Sequence, residues 1–106
     1  MLTQLQVEKI QRGLGETAGT LPSVFSALSD QSRLRIFMLL IDQKDVCVTD
    51  VSRVFGVSVP AASHQLKILE TSGLAKRIRM GQMVCYQINW DNPVTERLVD
   101  FIKRSL

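Results

Sequence analysis

The stretch that most constrains the fold is TDVSRVFGVSVPAASHQLKILETS, residues 49–72, because it predicts two short helices joined by a turn. Thr49 is a good N-cap for the first helix, since its hydroxyl can accept a hydrogen bond from a free amide of the first turn. Gly56 tolerates the positive φ that ends a short helix, and Ser58 can cap the next helix with Pro60 in its first turn. The segment therefore predicts a helix-turn-helix.

The second of these helices has two chemically different sides. Ala62, Leu66 and Leu69 recur at helical spacing and predict a buried stripe. Its other faces carry the polar side chains Ser63, His64, Gln65 and Lys67. A helix that buries one side and exposes hydroxyls, amides and a cation is suited to reading base edges in a DNA major groove. The alternative is an ordinary helical hairpin with a solvated polar face.

A basic β-hairpin is predicted directly after this helix. Gly73 suits the position after a helix end, residues 74–79 (LAKRIR) form a strand-like run with three cations, and residues 80–82 form a turn. Apolar residues then alternate at Val84, Tyr86 and Ile88. Helix, turn, helix and basic hairpin is the order of a winged helix-turn-helix, whose wing reaches phosphates or a minor groove. A charged edge strand that only prevents aggregation is the alternative.

Charge and length fit this interpretation. The 106 residues are expected to form one domain, residues 1–106, with 13 Lys and Arg against 10 Asp and Glu and a net charge of +3. Between Ser58 and Gly81, four cations (Lys67, Lys76, Arg77 and Arg79) face one acid, Glu70. No apolar run approaches the roughly 20 residues that cross a membrane. We therefore expect a soluble, cytoplasmic protein.

The remaining segments complete a mainly α fold with a small β-hairpin. The predicted order is three helices (3–14, one from Leu21 and one from Asp30), a short strand at 46–48, the helix-turn-helix, the wing and a last helix at 93–105. The terminal helices, 3–14 and 93–105, expose more apolar surface than one small domain can cover. We expect them to form a two-fold dimer interface that presents two recognition helices to a pseudo-palindromic site.

With these motifs in place, the chain resembles the ArsR/SmtB family of small bacterial repressors over roughly residues 20–90. The likeness is carried by FSALSD (25–30), SRLRI (32–36), VCVTDV (46–51), SVPAASHQLKIL (58–69), Gly73-Leu74, Gly81, Val84 and Tyr86. The resemblance implies a homodimeric winged-helix repressor that releases operator DNA when an inducer binds. The sequence does not identify that inducer.

The metal sites known in the family are not reproduced here. Many members hold metal through two cysteines near the start of the first motif helix; Cys47 matches one of them, but Thr49 replaces the other. Other members bind zinc on the last helix through Asp and His, whereas this tail offers Asp91, Glu96 and Asp100 without histidine. Soft metals need several sulfurs and zinc about four ligands. We therefore expect no metal and no cofactor.

Cys47 and Cys85 fall on strands that can be neighbours, on the face opposite Val46, Val84 and Tyr86. One interpretation is a thiol pair whose oxidation, persulfidation or metallation changes DNA affinity. The other, which we prefer from sequence, is two inert small side chains, since free cysteine often behaves as a small hydrophobe. A permanent disulfide is not expected in a cytosolic chain.

The predicted function is sequence-specific DNA binding by a homodimeric repressor of an inverted-repeat operator. The residues expected to contact DNA are Ser58, Ala61, Ser63, His64, Gln65, Lys67, Lys76, Arg77, Arg79 and Gln82. Arg33 and Arg35 are assigned to packing or to peripheral phosphate contact. A protein-interaction module that has lost DNA binding is the rival class. An enzyme is not expected, because His64 has no recognisable nucleophile partner and no phosphate-binding loop is present.

Overall fold

The computed structural model describes residues 1–14 and 21–106, and its elements follow the predicted order. They are α1 (Gln4–Gly13), α2 (Leu21–Ser29), α3 (Gln31–Asp42), β1 (Val46–Cys47), α4 (Val48–Phe55), α5 (Val59–Thr71), β2 (Ala75–Met80), β3 (Met83–Ile88) and α6 (Pro93–Ser105). Helices α4 and α5 form the helix-turn-helix, and β2 and β3 form the hairpin that serves as its wing. The predicted winged helix-turn-helix is confirmed.

The hairpin belongs to a three-stranded antiparallel sheet whose middle strand is β3. The predicted pairing of the short strand with the second wing strand is confirmed: Val46 lies opposite Tyr86, and Cys47 lies opposite Cys85. On its other side β3 pairs with β2, and Met80 lies opposite Met83 at the hairpin end. Gly81, with φ of 63°, takes the positive φ that this tight turn requires.

One hydrophobic core lies between the helices and the inner face of the sheet. The predicted stripe of α5 is at its centre, since Ala62, Leu66 and Leu69 are fully buried. Helix α3 contributes Phe37 and Leu40, as its apolar sequence predicts. The remaining core side chains come from α2, β1, α4, the wing strands and α6, including Val24, Val46, Val51, Tyr86 and Val99. The core therefore fixes α5 against the body of the domain while its opposite side faces outward.

The first motif helix starts two residues earlier than a Thr49 N-cap allows. Helix α4 begins at Val48 with Cys47 as its N-cap, so the strand is shortened to Val46–Cys47. The backbone N–H of Cys47 donates to Asp50 Oδ2 over 2.9 Å. This carboxylate in the first turn satisfies an amide and complements the positive helix end, which explains why the hydroxyl of Thr49 is not needed as a cap.

The caps of α5 match the sequence prediction. Ser58 Oγ accepts from the backbone N–H of Ala61 over 3.2 Å at the start of the helix. At the other end Gly73 has φ of 85°, and Leu74 N–H donates to the carbonyl of Leu69 over 3.0 Å. This is the Schellman arrangement, in which a left-handed residue lets the chain leave a helix while satisfying its last carbonyls.

The carbonyl oxygen of Gly73 joins the end of α5 to the start of α6. It accepts from Asn89 Nδ2 over 3.0 Å, from Asn92 Nδ2 over 3.1 Å and from Thr95 Oγ1 over 3.3 Å. Thr95 is fully buried, and Asn92 is also the N-cap of α6. Three donors, two from the loop between β3 and α6 and one from α6, therefore converge on the glycine that follows the C-cap of α5.

Helix α1 stands apart from the core. It contains no buried residue, and the molecule is elongated, with dimensions of 59 × 28 × 25 Å. Leu5 is 70 % exposed on α1 and Phe101 is 67 % exposed on α6. Within the described residues, no helix is both long enough and apolar enough to cross a membrane.

Candidate nucleic-acid interface

The outward side of α5 carries the polar residues that the sequence pointed to. His64 stands about 200° around the helix from the buried Ala62, since successive residues are about 100° apart. Ser63, His64 and Lys67 are exposed, as is Ala61 near the helix start. The side chains are thus presented on one convex ridge, defined here as the recognition ridge: Ser58, Ala61, Ser63, His64 and Lys67. Its width and composition suit a major groove.

Gln65 differs from the other predicted DNA-contact residues, because it is only half exposed. It lies beside the buried stripe, one residue before Leu66, and turns toward α3. Its Oε1 accepts from Arg33 Nη1 over 3.0 Å. Contact between Gln65 and a base stays a prediction, and the structure adds a partner that the sequence did not reveal.

The cations of the wing point to two different sides of the hairpin. Arg77 lies opposite Tyr86 and Arg79 opposite Val84, so both project from the face of the sheet that bears Tyr86. Lys76 projects from the other face and forms an ion pair with Asp91. Arg77, Arg79 and the turn residue Gln82 are exposed, and Arg77 and Gln82 line a cleft together with residues of α5. Alternation along the strand separates Lys76 from the two arginines, but its ion pair with Asp91 was not predicted from the sequence.

A cleft of about 450 Å³, the wing cleft, lies between α5 and the hairpin. Its walls include Ser63 and Lys67 from α5 and Arg77 and Gln82 from the wing. Thr49, at the start of α4, lines its floor and was not recognised from sequence as a contact residue, because it was assigned to a cap. The cleft brings together hydroxyl, amide and cationic donors, which are the groups that bind phosphate oxygens.

The wall of the wing cleft also contains two groups that limit its charge. Glu70 lines it, and so does Tyr86, whose ring is buried in the sheet. Burial raises the pKa of Tyr86, Glu70 raises it further, and Arg77 partly opposes this. The phenol is therefore a neutral hydrogen-bond donor at physiological pH, because only the protonated form is favoured in this setting.

A second cleft of about 450 Å³, the α2 cleft, lies on the opposite flank of the recognition ridge. It is formed by Ser23 and Ser26 of α2 and by His64, Lys67 and Thr71 of α5. The two serines carried no recognisable sequence signal, since serines in a short helix are common and only the packing of α2 against α5 places them beside the ridge. A helix lying in a major groove has a sugar-phosphate backbone on each side, so both clefts occupy positions where phosphates would pass.

A disulfide joins Cys47 to Cys85 across β1 and β3. The prediction that the two cysteines share one face on neighbouring strands is confirmed by their direct pairing in the sheet. The expectations of two separate small side chains and of no disulfide differ from the structure. Residues paired across adjacent antiparallel strands bring their side chains close together, and this pairing placed the two sulfurs within bonding reach. Cys85 is fully buried.

No metal centre is formed by the residues that the structure describes. Within residues 1–14 and 21–106, no three His, Cys, Asp or Glu side chains are grouped closely enough to hold a metal ion. Cys47 Sγ is bonded to Cys85, so it is not a thiolate ligand in this state. The absence of a metal remains a prediction.

Comparison with known proteins assigns the family. The family model described as "Bacterial regulatory protein, arsR family" matches residues 30–77, which span α3, the helix-turn-helix and the start of the wing. A Staphylococcus aureus homolog of the cadmium resistance transcriptional regulatory protein CadC is 32 % identical over 103 residues, covering 93 % of this chain and 84 % of that protein. The chain belongs to the ArsR family. It is accordingly a winged helix-turn-helix transcriptional regulator of the DNA-binding class.

Further relatives of this ArsR-family chain agree in sequence and in fold. A transcriptional repressor SmtB homolog from Synechocystis is 41 % identical over 73 residues, which are 69 % of this chain and 54 % of that protein. The solution structure of Mb0332 from Mycobacterium bovis, described as a homodimeric winged helix-turn-helix DNA-binding domain, superposes with a TM-score of 0.70 at 26 % identity. That match covers 81 % of this chain and 77 % of the other.

Proposed function

We propose that this ArsR-family chain is a homodimeric repressor that binds an inverted-repeat DNA operator. The observation that carries the proposal is the recognition ridge with its two flanking clefts. A convex polar helix with donor-lined depressions on both sides complements a major groove bordered by two phosphate backbones. A module that binds only proteins has no use for this arrangement.

Within this proposal the ridge and the clefts have different tasks. Ser63, His64 and Lys67 contact base edges, and Ser58 and Ala61 at the helix start contact bases or adjacent phosphates. In the wing cleft, Arg77 supplies charge to one backbone. In the α2 cleft, the hydroxyls of Ser23 and Ser26 supply neutral donors to the other. These assignments separate sequence reading from sequence-independent affinity.

The wing contributes mainly through its two arginines. Arg77 and Arg79 lie on the α5 side of the hairpin, and Gln82 at the turn extends the same edge. Lys76 reaches a phosphate only if it gives up its ion pair with Asp91. We therefore rank Lys76 as a peripheral contact, while its prediction as a DNA-binding residue stands.

Dimerisation in this proposal uses the terminal helices. Exposed apolar side chains lie along α1 and the outer face of α6, including Leu2, Leu5, Ile10, Leu14, Phe101 and Leu106. Isolated apolar side chains are normal on protein surfaces. Helix α1, however, has no buried residue, so packing within its own domain does not stabilise it. A second copy, related by two-fold symmetry, covers both helices and places two recognition ridges on one face. The description of the Mb0332 domain as homodimeric supports a homodimer here.

A second candidate function is thiol-responsive repression, favoured by the disulfide between Cys47 and Cys85. Cys47 is the N-cap of α4, and Cys85 lies on the wing strand β3. The bond therefore connects the start of the helix-turn-helix to the wing. Reduction by a dithiol forms two cysteine thiols and one oxidised dithiol, and it removes this connection without breaking the sheet hydrogen bonds.

The experiment that tests the main proposal is selection of bound duplexes from a randomised library, followed by affinity measurements at low and physiological salt. A homodimeric operator-binding repressor enriches an inverted repeat whose half-sites lie about one helical turn apart. Sedimentation of the complex should give two chains per duplex. Enrichment of no sequence, together with equally weak binding to all duplexes at physiological salt, contradicts the proposal and favours the protein-interaction module.

A further inference from the structure

Arg33 occupies a junction between three helices. Its backbone N–H donates to Asp30 Oδ2 over 3.0 Å, which caps α3. Its side-chain Nε donates to the carbonyl of Ala27 in α2 over 2.9 Å, and its Nη1 donates to Gln65 Oε1 in α5 over 3.0 Å. The side chain is only 18 % exposed. One guanidinium thus links the end of α2 and the start of α3 to the recognition helix.

The bond to Ala27 explains why the guanidinium is held in one orientation. The last four carbonyls of a helix have no partner within it, and Ala27 lies in the last turn of α2. Arg33 satisfies that carbonyl with Nε, and the planar geometry of the guanidinium then fixes where Nη1 points. The carboxylate of Asp30, 3.9 Å from Nη1, favours the same placement. The direction of the bond to Gln65 is therefore determined from outside α5.

The chemistry of the two side chains determines how Gln65 is oriented. Arginine carries only donors, so the carboxamide oxygen of Gln65, and not its NH₂ group, must face Arg33. The NH₂ group is left on the side away from Arg33. A glutamine that reads adenine with two hydrogen bonds uses its oxygen as acceptor and its nitrogen as donor at the same time. With one lone pair of its oxygen engaged and the oxygen turned toward Arg33, Gln65 presents its NH₂ donors as the groups left for DNA.

We propose that Arg33 is a positioning residue for DNA reading, which orients the carboxamide of Gln65 so that its NH₂ group, and not its oxygen, is presented to DNA. The inference rests on the proposed function, since it concerns how the same interface reads sequence. It assigns a role to Arg33 beyond the packing or peripheral phosphate contact that its sequence position suggests. It also predicts that Gln65 selects base edges rich in acceptors, such as guanine O6 and N7.

The test uses the full chain with Arg33→Met, Gln65→Met and the double variant. Methionine retains an unbranched apolar stem in each case and removes the hydrogen bond. Arg35→Met is the matched control, because it also removes one cation from α3 but, within residues 1–14 and 21–106, it removes the stacking of Arg35 on Phe55, 5.4 Å from the ring centroid, and no bond to α5. Each variant is measured by duplex selection, by affinity for selected and random DNA, and by thermal unfolding.

We expect Arg33→Met and Gln65→Met to relax base preference at the same positions of each half-site, with a loss of roughly three- to tenfold in discrimination there. The double variant should lose no more than the stronger single variant, because both changes remove one interaction. Arg35→Met should leave the preference unchanged. A merely structural Arg33 would lower the unfolding temperature and weaken binding to all duplexes while the base preference stayed as in the wild type.

Two outcomes overturn the inference while the proposed function survives. One is that the wild type selects an operator and Arg33→Met keeps the same base preference, whatever Gln65→Met does. The other concerns the operator positions whose base preference changes in Gln65→Met. If removing the 6-amino group from adenines at these positions lowers wild-type affinity tenfold, the oxygen of Gln65 accepts a hydrogen bond from DNA. If Arg33→Met does not fold, Arg33→Lys and Gln65→Met provide the same readouts. A wild type that selects no sequence overturns the proposed function and this inference together.

Discussion

Cys47 lies directly opposite Cys85 in the sheet, so that one disulfide joins the residue preceding the first motif helix to the strand that carries the wing. The two positions are 38 residues apart in sequence. Everything between them, including both motif helices and β2, is thereby closed into one covalent loop.

The first prediction concerns this loop. Reduction, or the double substitution Cys47→Ala and Cys85→Ala, is expected to lower the free energy of unfolding by up to about 4 kcal/mol, because a cross-link over a loop of this size restricts the unfolded chain. Denaturant unfolding with and without reductant measures the loss. Two titratable thiols in the folded protein without reductant would contradict the disulfide.

Thiol control of function is a separate prediction. If the second candidate function holds, operator affinity changes at least tenfold on titration with reductant, diamide or persulfide, and the double alanine variant loses that response. The variant serves as its own control for effects of the reagents on DNA. If operator affinity changes by less than about twofold, thiol control is ruled out and the disulfide has a structural role.

Arg79 and Lys76 should differ in their effect on salt dependence. Arg79→Ala removes an exposed cation from the α5 side of the wing, so binding to operator and random DNA should weaken alike, and the slope of log affinity against log salt should fall by about 0.9. Lys76→Ala should change the slope less, because Lys76 is paired with Asp91 on the other face. Equal slopes for both variants would show that the ion pair does not withhold Lys76 from DNA.

The recognition ridge and the α2 cleft should also be distinguishable. His64→Ala is expected to relax specificity at one or two base positions, at a cost of about 1–3 kcal/mol on the preferred operator. The double variant Ser23→Ala and Ser26→Ala should weaken binding to all duplexes without changing the salt slope, since neutral hydroxyls release no counterions. A changed base preference in the serine variant would place α2 among the reading elements.

The dimer interface can be tested with a charge at an exposed apolar position. Phe101→Glu on α6 is expected to convert the dimer to monomer in sedimentation measurements, because a carboxylate would be buried between two copies. Val54→Glu on α4 is the matched control, since Val54 is 60 % exposed and lies outside the terminal helices. Dissociation in both variants, or in neither, would place the interface elsewhere.

Much of the fold could be predicted because its signals are local. The stripe of Ala62, Leu66 and Leu69, the cap at Ser58 and the left-handed glycines each depend on neighbours within a few residues. The start of α4 was placed wrongly for the same reason. By residue type, Thr49 is a better N-cap than Cys47. In the structure Cys47 is the N-cap, and the carboxylate of Asp50 accepts from its backbone N–H. The choice between these two helix starts depends on where β1 pairs with β3.

The candidate site was predicted in outline but not in its internal contacts. Exposure of Ser63, His64 and Lys67 follows from helical periodicity, which the sequence contains. The bond from Arg33 to Gln65 joins residues 32 positions apart, and which face of β2 turns toward α5 depends on how the sheet packs. The disulfide depends on the register of β1 against β3. Such long-range relationships are set by tertiary packing, which no local pattern encodes.

The carbonyl of Gly73 has a consequence for how two copies would meet DNA. Because its hydrogen bonds to Asn92 and Thr95 hold the exit of α5 to the entry of α6, the last helix cannot tilt without pulling on the recognition helix. If two chains pair through α6, the angle between their two α6 helices therefore sets the distance between the two α5 helices. A small molecule or a mutation that changes this angle would then lower operator affinity without contacting any residue that faces the bases.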